Sequence, residues 1–189
     1  MPPEVLSFIL RWIHFVAGII WIGLLYFFNL VNVPYTKVAD PKDRPAHVPK
    51  LMPLALAWFR HSAWVTVLAG LVMIYLLYWQ RGDFVTSDNA KTIFTGMLLG
   101  LIMLFNVWVF IWPNQKKIID ATVKGDKPDP RWARVALVAS RTNFILSFPM
   151  LLFMAGSGHY GMDWPVIVIA GLVAAAIGAG IVLRVHKVI

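Results

Sequence analysis

The sequence contains no cysteine and few acidic residues. None of the 189 residues is cysteine. This absence excludes disulfides, thiolate metal sites, iron–sulfur clusters and covalently attached c-type haem. Only nine residues are Asp or Glu, against 17 Lys and Arg, and all nine fall in predicted loops or at helix ends. This distribution argues against a proton pump built on carboxylates inside a membrane. No catalytic triad, phosphate-binding loop or dinucleotide fingerprint is present either.

Long apolar runs account for most of the chain. Hydrophobic residues make up 59% of the sequence and the mean hydropathy is +0.71. Several runs exceed the roughly 18 residues that span a bilayer. We therefore predict an all-α integral membrane bundle, a single transmembrane domain over residues 1–189. The five predicted spans are at about 5–33, 54–79, 88–112, 141–155 and 164–185.

Loop signals separate these spans. Pro34 is expected to end the first span because proline disrupts a helix interior, and residues 34–53 read as a polar loop. Ser87 suits the cap of the third span. Residues 114–120 are expected to prolong that helix, and residues 132–140 to form an amphipathic lead-in to the fourth.

Basic residues predict the orientation. Thirteen Lys and Arg lie on the side of the first loop, the third loop and the C-terminus, whereas Arg11, Arg81 and Lys91 lie on the other. The positive-inside rule then places the N-terminus outside and the C-terminus in the cytoplasm of a multi-pass protein of the bacterial inner membrane. The same rule explains the net charge of +8, so we expect no nucleic acid partner and take the lipid bilayer as the surroundings.

His14 is the main candidate for chemistry. With Gly18 and Trp21 it lies on one face of the first helix, at about 3.6 residues per turn. A polar ring beside a bare stretch of backbone predicts a seat for a flat cofactor, haem b. Polar groups in hydrocarbon are costly and usually functional. The alternative is a histidine hydrogen-bonded between helices.

Further axial ligands are sought among the other histidines. His159 lies on the same outer side as His14 and is the natural second ligand, with Met154 a weaker choice. His61 lies near the inner edge, about 15 Å away in depth at 1.5 Å per residue, so a His61 site would mean a second haem. Alternatively, His61 is an interfacial residue beside Arg60 with no part in haem binding. His47 and His186 are expected to be solvated.

Arg60, Arg141 and Asn143 complete the predicted cofactor-binding set. No acid lies within a span to pair with an arginine at membrane depth, so we expect a haem propionate, a carboxylate substrate or a lipid phosphate as the partner. Snorkelling of the two arginines to lipid headgroups is the alternative. Asn106 is expected to join helices.

An ordered set of segments carries a family resemblance. The chain resembles the amino-terminal membrane domain of the cytochrome-c-fused, membrane-bound urate oxidases of bacteria, and more weakly haem-holding membrane protoporphyrinogen oxidases. The resembling segments are 12–23 (WIHFVAGIIWIG), 106–117 (NVWVFIWPNQKK), 125–130 (GDKPDP) and the run from Arg141 through Pro149 to His159-Tyr160. The resemblance implies a membrane redox domain that works with a cytochrome c, and His14, Arg141 and His159 carry over as site candidates. Phe94 and Thr142 stand where that family tends to have histidines.

Together these observations predict an electron-transfer subunit with one or two b-type haems and a quinone as a further candidate cofactor. It would link a quinone or a partner redox subunit to a c-type cytochrome. A haem-free structural subunit of a respiratory membrane complex is the first alternative. A membrane oxidoreductase resembling urate oxidase is the second.

Overall fold

The computed structural model describes residues 3–40, 42, 44–83 and 85–187. Across these ranges the chain is helical and forms no strand. Two α-helical runs each contain a π-helical segment, π1 (Phe27–Asn32) and π2 (Val107–Ile111). The α-helices are α1 (Pro3–Tyr26), α2 (Val33–Val38), α3 (Arg44–Leu77), α4 (Asp88–Asn106), α5 (Trp112–Val123), α6 (Pro130–Gly156) and α7 (Trp164–Lys187).

Five continuous helices are long and apolar enough to cross a membrane. They are Glu4–Val38, His47–Arg81, Asp88–Val123, Pro130–Gly156 and Trp164–Val185. The prediction of an all-helical chain with five such helices is confirmed. Orientation and the identity of the membrane stay predictions.

The boundaries of four spans differ from those predicted. Pro34 does not end the first span, since the helix continues to Val38. Pro34 lies in the first turn of α2, directly after π1, where its missing N–H removes little. The predicted loop over residues 34–53 is therefore helical through Val38 and again from Arg44.

The other two differences concern helix extensions. The third helix runs on to Val123, which confirms the expected extension past Trp112. The fourth begins at Pro130 and includes the amphipathic lead-in. Its start is set locally: the Asp129 side chain accepts a hydrogen bond from the Arg131 N–H, and Pro130 occupies the first turn.

The bundle has two distinct ends. We name the end with residues 82, 83, 85–87 and 157–163 the short-loop end, and the end with Lys116, Lys117 and Lys124 the basic end. α1 packs mainly on α3, and α6 lies between α4 and α7. The largest fully buried side chains include Trp21, Phe59 and Phe144.

Ser87 caps the N-terminus of α4, as predicted, and Asp83 supports this cap. The Ser87 hydroxyl accepts from the Ala90 N–H at 3.1 Å and donates to Asp83 Oδ2 at 2.6 Å. Thr86 also donates its hydroxyl to Asp83. These hydroxyl hydrogen bonds lower the pKa of Asp83 from 3.8 to about 2.

An Asp83→Asn substitution should therefore destabilise the protein in a pH-dependent way. The pKa of Asp83 is depressed in the folded chain, so its contribution is present above 3.8 and is lost as the pH falls through about 2. Unfolding curves of both proteins in detergent, at pH values above 3.8 and near 2, should diverge at the higher pH and converge at the lower. Asp126→Asn, in an exposed loop, is the matched control and should show no such difference.

Candidate functional site

His14 is anchored to the neighbouring helix through one ring nitrogen. Its Nδ1 lies 2.8 Å from the backbone oxygen of Thr66 in α3. A carbonyl only accepts, so Nδ1 carries the proton and Nε2 carries the lone pair. No hydrogen bond to Nε2 is formed by the described residues. His14 is half-buried, and its Nε2 keeps an unused lone pair.

Gly70, which the sequence analysis did not single out, makes this contact sterically possible. A Cβ atom at Gly70 would lie 3.0 Å from His14 Cε1 and 3.1 Å from Nδ1. The imidazole therefore occupies the place of a side chain on α3. For Gly70 itself, the only sequence signal was a glycine inside a long apolar helix.

A Gly70→Ala substitution should push the His14 ring away from Thr66. We expect a loss of about 1 kcal/mol in the free energy of unfolding, the lower end for overpacking, since the side chain can shift in part. Gly23→Ala is the control, because no atom lies within 4 Å of a Cβ built there. Thermal unfolding of both variants in detergent measures the difference. Equal stability of the two would contradict the packing described for Gly70.

Gly18 does not provide an open face. A Cβ atom there would meet Thr66 Cγ2 at 3.7 Å, an ordinary packing distance. Trp21, one turn further on, is 2% exposed, and its indole N–H finds no acceptor in the described part of the chain. The cleft expected beside His14 is thus largely covered by α3.

The other predicted ligands are not assembled around His14. His159 is exposed in the turn after α6, where its backbone N–H donates to the Gly156 oxygen at 3.0 Å. Among the described residues, no group of three or more His, Cys, Asp or Glu could hold a metal ion. His14 by itself fits a haem ligand, since metal-binding imidazoles commonly donate their second ring N–H to a carbonyl. A second ligand is not identified by contact.

Arg60 and His61 lie on a different part of α3. The Arg60 guanidinium carbon is 3.7 Å from the centroid of the Trp112 ring, and its Nε donates to His61 Nε2 at 3.2 Å. Arg60 is six residues before Thr66, about 9 Å along the helix axis. His61 is exposed, and its Nε2 is already engaged. The predicted second haem at His61 therefore gains no support from this geometry and stays a prediction.

Asn143 is fully committed to protein partners. It is 0% exposed, accepts from Asn106 Nδ2 at 2.8 Å and donates to the Met103 oxygen at 2.9 Å. This agrees with the helix-joining role expected for Asn106 and gives Asn143 the same role. Arg141 is half-buried and interacts within the protein.

Asn143 belongs to a polar row along α6. The Asn29 amide of π1 donates to Ser140 Oγ at 2.9 Å, and Tyr26 Oη lies 3.1 Å from Ser147 Oγ. Ser140, Asn143 and Ser147 follow helical spacing, so one face of α6 is bonded to the first and third helices. This spacing was readable in the sequence, but nothing in it named the partners.

His47 is not simply solvated, contrary to the expectation. Its Nε2 lies 3.0 Å from Asn32 Oδ1, and its ring centroid is 5.0 Å from that of Tyr35. It therefore ties α3 to the end of the first helix. The side chain of His186 lies outside the described residues.

A groove opens at the short-loop end, between the start of α1 and the end of α3. Its volume is about 400 Å³, within the range of small-molecule sites. Arg11, Arg81 and Glu4 line it together with apolar side chains such as Leu77. Arg11 precedes His14 by three residues and lies on the same face of α1. The groove therefore has Arg11 within one helical turn of His14, whereas Arg81 is 11 residues beyond Gly70, about 16 Å further towards the short-loop end.

Comparison with known proteins identifies the family. The family model described as urate oxidase N-terminal matches residues 83–188, more than half of the chain. No curated protein and no solved structure matches it. The match covers α4 to α7, and so includes the polar row on α6 and the turn that carries His159. The chain therefore belongs to the urate oxidase N-terminal family.

Proposed function

We propose that this chain is a membrane-embedded electron-transfer subunit that binds b-type haem through His14. The observation that carries the proposal is the hydrogen bond from Nδ1 of His14 to the Thr66 oxygen, at 2.8 Å. It fixes the tautomer and leaves Nε2 as a lone-pair donor in an apolar setting. An outer-shell bond of this kind also raises the basicity of an imidazole ligand.

The surrounding residues would have distinct roles. His14 would ligate the iron, Thr66 would orient the ring, and Gly70 would give the ring its space. Arg11, one helical turn before His14 on the same face of α1, would neutralise a haem carboxylate. Bound haem would supply a one-electron carrier in the membrane. We keep His159 as the proposed second ligand.

The proposed surroundings and partners follow from the orientation and the family. The positive-inside rule supports a bacterial inner membrane with the short-loop end outside. A c-type cytochrome on that side is the proposed electron acceptor. A quinone or a partner respiratory subunit is the proposed donor. The family match makes urate, or a similar purine, a candidate primary source of electrons.

An optical spectrum of the purified protein tests the proposal. We expect a Soret band, with b-type haem by pyridine haemochrome analysis, and its loss in His14→Ala. His47→Ala is the matched control, since the His47 Nε2 lies 3.0 Å from Asn32 Oδ1. His159→Ala tests the second ligand, and His61→Ala tests the predicted second haem. Protein purified from haem-replete cells without a Soret band, or an unchanged band in His14→Ala, would refute the proposal.

A haem-free structural subunit is the second candidate. This candidate is favoured because protein side chains already occupy the surfaces beside both glycines. Thr66 packs on Gly18, and His14 itself fills the space at Gly70. The same spectrum separates the two candidates. If haem is present, reduction of cytochrome c by membranes supplied with urate tests the third candidate, a membrane oxidoreductase resembling urate oxidase. Failure of urate to reduce the haem would dismiss that candidate.

A further inference from the structure

Two buried N–H donors without acceptors lie where α3 packs against the third helix. They are Arg60 Nη1 and Trp108 Nε1, both shielded and without a hydrogen-bond partner among the described residues. Buried donors are almost always satisfied in folded proteins, and an unsatisfied charged donor is the most costly kind. Two such donors in one place indicate that an acceptor from outside the chain completes the site.

The two donors belong to one aromatic cluster. The Arg60 guanidinium stacks on Trp112, and His61 and Trp64 meet Trp108 edge-on, with ring centroids 6.3 Å and 6.1 Å apart. π2 connects Trp108 to Trp112. The rings hold the guanidinium in place while leaving Nη1 unused.

The ligand must carry negative charge and more than one oxygen. The ion pairs of the described residues join Lys91 to Asp88 and Arg131 to Asp129, so neither neutralises Arg60. One cation and one indole N–H match an oxyanion with two free oxygens, such as a phosphodiester. His61 does not compete for this role, because its Nε2 already accepts from Arg60 Nε.

The surface beside the cluster is apolar and open. Trp64 is 42% exposed, and exposed apolar side chains continue from it towards the middle of the bundle: Leu68 on α3 and Phe105 on α4. A ligand that reaches Arg60 along this surface therefore needs an apolar part. An inorganic anion has none.

We propose that Arg60, Trp108 and Trp112 bind the phosphate of an anionic phospholipid whose acyl chain lies along Trp64, Leu68 and Phe105. The proposal rests on the bilayer location proposed above, but not on haem. Its residues are separate from the pair of His14 and Thr66. Loss of the lipid and loss of a Soret band are therefore independent outcomes.

Lipid retention tests the site directly. The protein is purified in mild detergent, and retained phospholipid is identified and counted by mass spectrometry. We expect phosphatidylglycerol to be retained by the wild type and reduced about tenfold or more in Arg60→Gln, since a charge-assisted hydrogen bond is lost. Trp108→Phe, which removes only the N–H, should reduce retention about fivefold. Trp58→Phe and Arg134→Gln, the ring and charge controls at exposed positions outside the cluster, should retain as much as the wild type.

Thermal shifts of delipidated protein distinguish the possible ligands. Phosphatidylglycerol should stabilise the wild type more than phosphatidylcholine, and inorganic phosphate should have no effect. If Arg60→Gln does not fold, lipid retention by Arg60→Lys and Trp108→Phe tests the proposal instead, since both substitutions keep most of the side-chain volume. Wild-type retention in both of these variants would overturn the proposal. Equal stabilisation by phosphatidylcholine or by inorganic phosphate would overturn it as well.

Discussion

Asn143→Leu is expected to lower the free energy of unfolding by about 1–3 kcal/mol. The substitution removes the acceptor of Asn106 Nδ2 and the donor to the Met103 oxygen, both in a fully buried position. Hydrogen bonds between helices in a membrane average about 0.6 kcal/mol and reach about 1.7. The orphaned Asn106 amide adds to the loss. Reversible unfolding in mixed micelles measures the difference.

Asn114→Leu provides the matched control. Asn114 also donates through its side-chain amide, but to the Phe110 oxygen of its own helix at an exposed position. Its replacement should change stability by no more than about 0.5 kcal/mol. If both variants lose the same amount, the bond between α4 and α6 is not what makes Asn143 important.

Gly161→Ala is expected to cost about 1–3 kcal/mol by overpacking. A Cβ atom at Gly161 would lie 2.1 Å from Asn89 Oδ1 and 2.7 Å from the Asn89 backbone nitrogen. The Asn89 side chain can change rotamer to avoid this contact, but the backbone in the first turn of α4 cannot move easily. The neighbouring Met162 N–H donates to Thr92 Oγ1 at 2.8 Å, so displacement of the loop should also weaken that bond.

Gly158→Ala, in the same loop, tests the steric explanation. No atom lies within 4 Å of a Cβ at Gly158, so this variant should unfold like the wild type. Thermal unfolding of the two variants side by side is sufficient. A Gly161→Ala protein as stable as Gly158→Ala would show that the loop does not pack on α4 as described.

Much of the fold could be predicted from the sequence because the relevant signals are local. Hydropathy and run length gave five helices able to cross a membrane, and the Ser87 cap depends on a contact only three residues away. Helix ends were less predictable. Pro34 was expected to break the first helix, yet π1 directly precedes it and the chain resumes as α2.

The candidate site was predictable only in part. His14 stood out because a polar ring in an apolar helix is unusual, but its partner is a backbone carbonyl 52 positions away. A carbonyl has no sequence signature, and Gly70 is informative only once α1 and α3 are seen to pack together. Asn143 was expected to bind a cofactor, whereas its amide is taken up by Asn106 and Met103.

The sequence by itself determined that this chain forms five long apolar helices, because spanning length and hydropathy are properties of consecutive residues. It also determined which polar groups must be buried in them. Only the tertiary structure decided how those groups are satisfied. Contacts between helices depend on which faces meet, and a single glycine or a π-helical turn is enough to change them. The Nδ1 bond of His14 and the unmatched donors of Arg60 and Trp108 could therefore be seen only in the packed bundle.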